Sequence, residues 1–176
     1  DLGLKACGDH PALLEKALAA TMMLDDAPGA VAYLERELKV APQHEQAWLN
    51  LANLSMLVGD FEKAERVAKQ LLEKNPAQWE AHFVLGNLYA AVPLPEKAEA
   101  AYRKAIDAAP DNWRPLVNLA TSFLEGSVAA KYGEALTLLQ RAAKLAPANE
   151  WRVPYNTALA FTRLGKKQQA LELVHA

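Results

Sequence analysis

The chain has 176 residues, 52% hydrophobic and 23% charged, with 19 Lys plus Arg against 21 Asp plus Glu. That is the composition of a folded globular protein, and the mixed signs in runs such as EKAERVAKQ (62–70) leave no cationic stripe for a phosphate backbone. No apolar run approaches the roughly 18 residues that span a bilayer, and a single cysteine permits no internal disulfide, so neither nucleic-acid binding nor membrane insertion is expected.

A period organises the chain. Pro42, Pro76 and Pro110 lie 34 apart, and Ala30, Ala64 and Ala98 keep the same step. From Pro110 to Pro147 and from Ala98 to Ala135 the step is 37, so three residues enter between Phe123 and Ala135; one more enters between Pro147 and Phe161. At the start of the chain, LKACGDHP (4–11) aligns with the later unit ends EKNPAQW and KLAPANE. Residues 1–10 are therefore expected to be the tail of a preceding repeat or an N-terminal extension.

Within a unit the pattern is helical. In EQAWLNLANLSMLVGD (45–60), Trp48, Leu51, Ala52 and Ser55 recur at spacings of three and four and mark the interior face of a first helix, which Gly59-Asp60 ends. In FEKAERVAKQLLEKNP (61–76), Phe61, Ala64, Val67, Ala68, Leu71 and Leu72 mark the buried stripe of a second helix, closed by Asn75-Pro76 because proline disfavours helix in its predecessor. Each unit reads as a helical hairpin. Ala64, Ala98, Ala135 and Ala170 fall where the second helix crosses the first, and Pro95 is expected at the first position of its helix, where its missing N–H is no loss. Trp79, Trp113 and Trp151 open successive first helices, and the simplest role for each ring is packing on the preceding turn and proline, with a ladder of exposed aromatic anchors as the alternative.

The segments WLNLANLSMLVGDFEKAERVAKQLLEKNP (48–76) and HFVLGNLYAAVPLPEKAEAAYRKAIDAAP (82–110) carry a resemblance to the tetratricopeptide repeat, the second through Leu85-Gly86, Tyr89, Ala98, Tyr102, Ala105 and Pro110. It extends over units at about 11–44, 45–78, 79–112, 113–149 and 151–176, the last incomplete. The fourth departs in its longer turn EGSVAAKYGEA (125–135), and PYNTA (154–158) lacks the usual large residue before the Leu-Gly pair. The resemblance implies an all-α, right-handed α-α superhelix of stacked hairpins. The end at KQQALELVHA leaves Leu171, Leu173 and Val174 without a following helix, and with Asp1 in place of Met it leads us to expect a segment of a longer protein, with self-assembly through open ends as one outcome.

Chemistry is scarce. His10, His44, His82 and His175 lie in different hairpins without ligand spacing, Cys7 and His10 form at most half a metal site, and HEQAW (44–48) lacks the second histidine of a zinc-protease pattern. No glycine-rich phosphate loop and no nucleophile elbow occur. No catalytic residue, metal or cofactor is expected.

The amides are the exception. Taking about 100° per residue from Trp48, Asn50 and Asn53 point away from the interior face. By register Asn87 aligns with Asn53, and Asn118 and Asn156 with Asn50. The resemblance places first helices along the concave surface, so these five are expected to face a groove, with Leu49, Met56, Phe83, Val117 and Tyr155 beside them. Such amides can pair with the C=O and N–H of an extended peptide or simply be solvated. For the family's basic clamp on a C-terminal carboxylate, Asn87, Asn118 and Arg152 fit three places, but Phe83 and Asn156 stand where cations are required. The expected function is a non-catalytic scaffold holding an extended protein segment at Asn50, Asn53, Phe83, Asn87, Asn118, Arg152, Tyr155 and Asn156. The alternatives are the repeat region of a larger bacterial enzyme or envelope machine, such as a glycosyltransferase or polysaccharide exporter, and a self-assembly module. Cytoplasm and periplasm both stay open.

Overall fold

Proline and glycine punctuation cuts the chain into helices of near-uniform length. The computed structural model describes residues 26–126 and 128–174; Cys7, His10, the rest of the expected N-terminal tail, the first helix of the 11–44 unit and His175 lie outside them. The described residues form nine α-helices and no strand: α1 (Ala27–Val40), α2 (Glu45–Leu57), α3 (Phe61–Lys74), α4 (Trp79–Ala91), α5 (Pro95–Ala108), α6 (Trp113–Glu125), α7 (Tyr132–Leu145), α8 (Arg152–Arg163) and α9 (Lys167–Val174). The three-residue insertion appears as a 3-10 turn, Ala129–Lys131, leading into α7.

The local chemistry explains the boundaries. Gly59 takes φ 80° after α2, a left-handed position that costs glycine nothing, and the Asp60 N–H then donates to Ser55 O at 2.8 Å. Asp60 Oδ1 in turn accepts from Lys63 N at 3.0 Å and caps α3. One period later Leu94 N donates to Tyr89 O at 2.9 Å without a glycine, and Pro95 takes the first position of α5.

The chain divides into two compact units, residues 1–84 and 85–176. In the first, α1 packs on α2 and α2 on α3. Ala30, Leu34 and Ala64 are fully buried, and Leu49, Leu71 and Ala81 form a cluster against which Trp48 and Leu72 pack. Trp48 is half-buried, at the edge of the interior where the sequence put it inside. Its indole N–H needs a partner and donates to Pro42 O at 2.9 Å. His82, 34 residues on, makes the same bond from Nε2 to Pro76 O at 2.9 Å. An aromatic ring with an N–H at this position ties its helix to the preceding turn.

In the second unit α5 packs on α6, α6 on α7, α7 on α8 and α8 on α9, while α6 also touches α8. Ala98, Ala105, Leu116, Leu119, Ala120, Ala135, Leu139, Ala142 and Ala160 are fully buried. Gly86 sits beneath the Tyr102 ring, so close that a Cβ there would lie 2.4 Å from Tyr102 Cδ1. Lys131, delivered by the inserted turn, pairs with Glu99, which also accepts from Arg103 at 2.9 Å; Arg103 reaches Glu134 at 2.6 Å. Partial burial works to raise the Glu99 carboxyl, but the Lys131 and Arg103 hydrogen bonds outweigh it and hold the pKa below 4.5. Leu171 is exposed and Leu173 half-buried, while the side chain of Val174 lies outside the described part.

One polar atom breaks the pattern. Ser55 is fully buried and its Oγ has no hydrogen-bond partner among the described residues. The equivalent positions one and two periods on are Tyr89 and Phe123. Substitutions in the two units should therefore act in opposite directions. Ser55→Ala removes an unsatisfied hydroxyl and should raise stability by about 1 kcal/mol. Gly86→Ala forces a methyl against a ring that its own burial holds in place, and should lower stability by about 1–3 kcal/mol despite the gain in helix propensity. Urea midpoints of the two variants against the parent decide both; a Gly86→Ala midpoint at or above the parent's refutes the close approach.

Candidate functional site

The second unit contains an open cavity of about 400 Å³. On α6 its lining residues are Val117, Asn118, Thr121, Ser122 and Glu125, a spacing that puts them on one face across two turns. The α8 side supplies Arg152, Tyr155, Asn156 and Leu159, again at helical spacing, with Trp151 just ahead of the helix. Ala90 of α4 and Tyr102 of α5 complete it. The contact of α6 with α8 is what brings the two faces together.

The polar lining is largely paired. Asn87 Oδ1 accepts from Tyr102 Oη at 2.9 Å and from Asn118 Nδ2 at 2.8 Å. Burial pushes the Tyr102 phenol up to about 12, opposed in part by the hydrogen bond with Asn118 and aided by the negative charge of Glu125. The phenol is therefore a proton donor at any physiological pH, which fixes the Asn87 oxygen as acceptor and both amides in orientation. Thr121 Oγ1 donates to Val117 O at 2.9 Å and Ser122 Oγ to Leu119 O at 3.1 Å, so both hydroxyls turn back on their own helix.

Arg152 is held from two sides. Glu150 accepts from its Nε at 2.8 Å and its Nη2 at 3.2 Å, and the guanidinium lies 5.0 Å from the centre of the Trp113 ring. The Glu150 hydrogen bond raises the Arg152 pKa, and Arg152 lowers that of Glu150. Trp151 and Tyr155 stand out by contrast, 67% and 62% exposed, their ring centres 5.9 Å apart in an edge-on pair.

The expected site residues divide between the units. Asn118, Arg152, Tyr155 and Asn156 line the one cavity, with Asn87 bonded to Asn118 behind it. Asn156 is 6% exposed, where the sequence placed it off the interior face, because its Nδ2 folds back to Arg152 O at 2.9 Å. In the first unit Asn50 Oδ1 accepts from Gln46 Nε2 at 3.0 Å, Asn53 is exposed, and Phe83 is half-buried with its ring centre 6.0 Å from that of Trp79. Of the apolar groove neighbours, Leu49 and Val117 are buried. Sequence reasoning missed Glu125, which sits two turns beyond Asn118 on the same face, and Tyr102, which it saw only as a signature residue. It preferred packing on the preceding turn for Trp151, whose ring the structure leaves open.

Residues 58–112 match the tetratricopeptide repeat family model. Tetratricopeptide-repeat sequence is thus found over that stretch of the chain. Among solved structures, MamA 41-end from Desulfovibrio magneticus RS-1 superposes with a TM-score of 0.77 at 18% identity, over 97% of this chain and 94% of that one. A thermophilic TPR protein from Thermus thermophilus gives 0.73 at 18% identity, over 93% and 88%. Yeast Tom70 gives 0.78 at 20% identity, over 97% of this chain and 36% of that one. At these identities what is shared is the fold, the all-α solenoid of tetratricopeptide-repeat proteins. No curated protein sequence matches the chain. Among the described residues no helix is long and apolar enough to cross a membrane, and no group of three or more His, Cys, Asp or Glu is placed to hold a metal ion.

The buried phenol gives the second unit a spectroscopic signature. Tyr102 should ionise only about pH 12, well above an ordinary phenol at about 10. In an ultraviolet pH titration the folded protein should show a late-titrating tyrosine that Tyr102→Phe removes; titration of every tyrosine in the range of an ordinary phenol refutes the buried Tyr102–Asn87–Asn118 network.

Proposed function

We propose that this tetratricopeptide-repeat protein is a non-catalytic scaffold that holds an extended segment of a partner protein in the cavity lined by α6 and α8. The observation that carries the reading is the exposure of Trp151 and Tyr155 at the mouth of a preformed cavity. Large rings left in water are the residues that dominate binding energy when a partner covers them. The paired amides support it: with Asn87 and Asn118 fixed, the site is organised before anything binds, which lowers the ordering cost of association. The same lining argues against catalysis, since the Thr121 and Ser122 hydroxyls donate to backbone carbonyls and neither is set against a base.

A displayed library of random dodecapeptides panned on the full chain supplies ligands whatever the natural partner is. Selected peptides should lose about tenfold or more in affinity when Trp151 and Tyr155 are both changed to Ala, the loss expected for aromatic anchors worth over about 1.4 kcal/mol. The exposed control Lys69→Glu, on α3, should bind as the parent does. Calorimetry reads the affinities, and urea midpoints confirm that the fold is intact. Equal binding by parent and double variant refutes the cavity as the site.

A further inference from the structure

Two of the cavity's lining residues are charged, and their situations differ. Arg152 is already met by the Glu150 carboxylate and by the Trp113 ring. Glu125 is exposed, and among the described residues it makes no hydrogen bond and no ion pair. The uncompensated charge of the cavity is therefore negative, even though an arginine stands in its wall.

This decides among occupants. An acidic or C-terminal carboxylate guest would have to draw Arg152 from Glu150 and would meet Glu125 with like charge. A wholly apolar guest would cover Glu125 and strip it of water without replacing its partners, which is costly for a carboxylate. A cationic side chain answers both, because it supplies Glu125 with charge-assisted hydrogen bonds and brings an alkyl stem that can cover apolar lining beside it. We infer that the partner segment held in this cavity presents a lysine or arginine side chain to Glu125, while other residues of the same segment cover Trp151 and Tyr155. The inference rests on the reading of the cavity as a peptide site and adds the chemistry of its guest.

The test uses the full chain and the same random dodecapeptide library. Peptides that depend on Trp151 and Tyr155 should share a Lys or Arg at one position. Replacing that residue by norleucine in the consensus peptide should weaken binding about tenfold or more, the worth of a hydrogen bond between charged groups. On Glu125→Gln protein the consensus peptide and its norleucine counterpart should bind alike, and on Glu125→Lys the consensus peptide should lose still more. Peptides that need Trp151 and Tyr155 but show no basic preference, or that bind Glu125→Gln as tightly as the parent, overturn the cationic guest and leave the cavity a peptide site of another chemistry. A library that yields no binder sensitive to Trp151 and Tyr155 overturns the peptide site and the cationic guest together.

Discussion

The contact on which the second unit depends is the Tyr102 ring lying on the backbone of Gly86. Only a residue without a Cβ lets α4 come that close to the ring, and only a ring of that length carries a hydroxyl to Asn87, the next residue along the same helix. One steric allowance thus sets both packing and polarity. It places a protonated phenol beneath the cavity, fixes Asn87 as acceptor, and through Asn87 orients Asn118 from α6. Large-to-small pairing of this kind is how a repeat can keep its frame while changing its surface.

The first unit makes the comparison from within the same chain. One period before Gly86 and Tyr102 stand Ala52 and Ala68, both buried. Where the glycine has become alanine the ring has become a methyl, so the added Cβ meets no ring, although the pair as a whole is smaller. The consequence reaches the amides. Asn53, the register equivalent of Asn87, has no phenol below it and is exposed to solvent, whereas Asn87 is half-buried and bonded twice. Identical residues at identical register positions therefore differ because a residue 15 positions away differs.

This is also the measure of what could be read in advance. The period, the helix ends, the close-packed alanines and the face bearing the amides follow from side-chain volume, proline and glycine, which act locally and leave a mark on spacing. Ala64, Ala98 and Ala135 are fully buried as that spacing required. The state of each amide was not legible, because satisfaction of a hydrogen bond depends on which partner arrives from another helix, as for Asn118 and Asn87, or on a turn back to the helix's own carbonyl, as for Asn156. The tryptophans divide for a similar reason. Trp48 finds Pro42 O and lies partly covered, while Trp151 sits beside Tyr155 with most of its ring in water.

Arg152 shows what position alone leaves out. Its place in the sequence matches one of the cations of a carboxylate clamp, and its side chain does line the cavity. Yet Glu150, two residues before it, supplies an intramolecular carboxylate at an effective concentration that no free peptide end reaches, and the Trp113 ring covers the guanidinium face. A guest carboxylate would gain only the difference between two similar bonds. In the structure Arg152 is part of the wall, its charge met by Glu150 and its guanidinium over Trp113. What remains unneutralised along that wall, among the described residues, is Glu125, a residue that the family pattern does not mark.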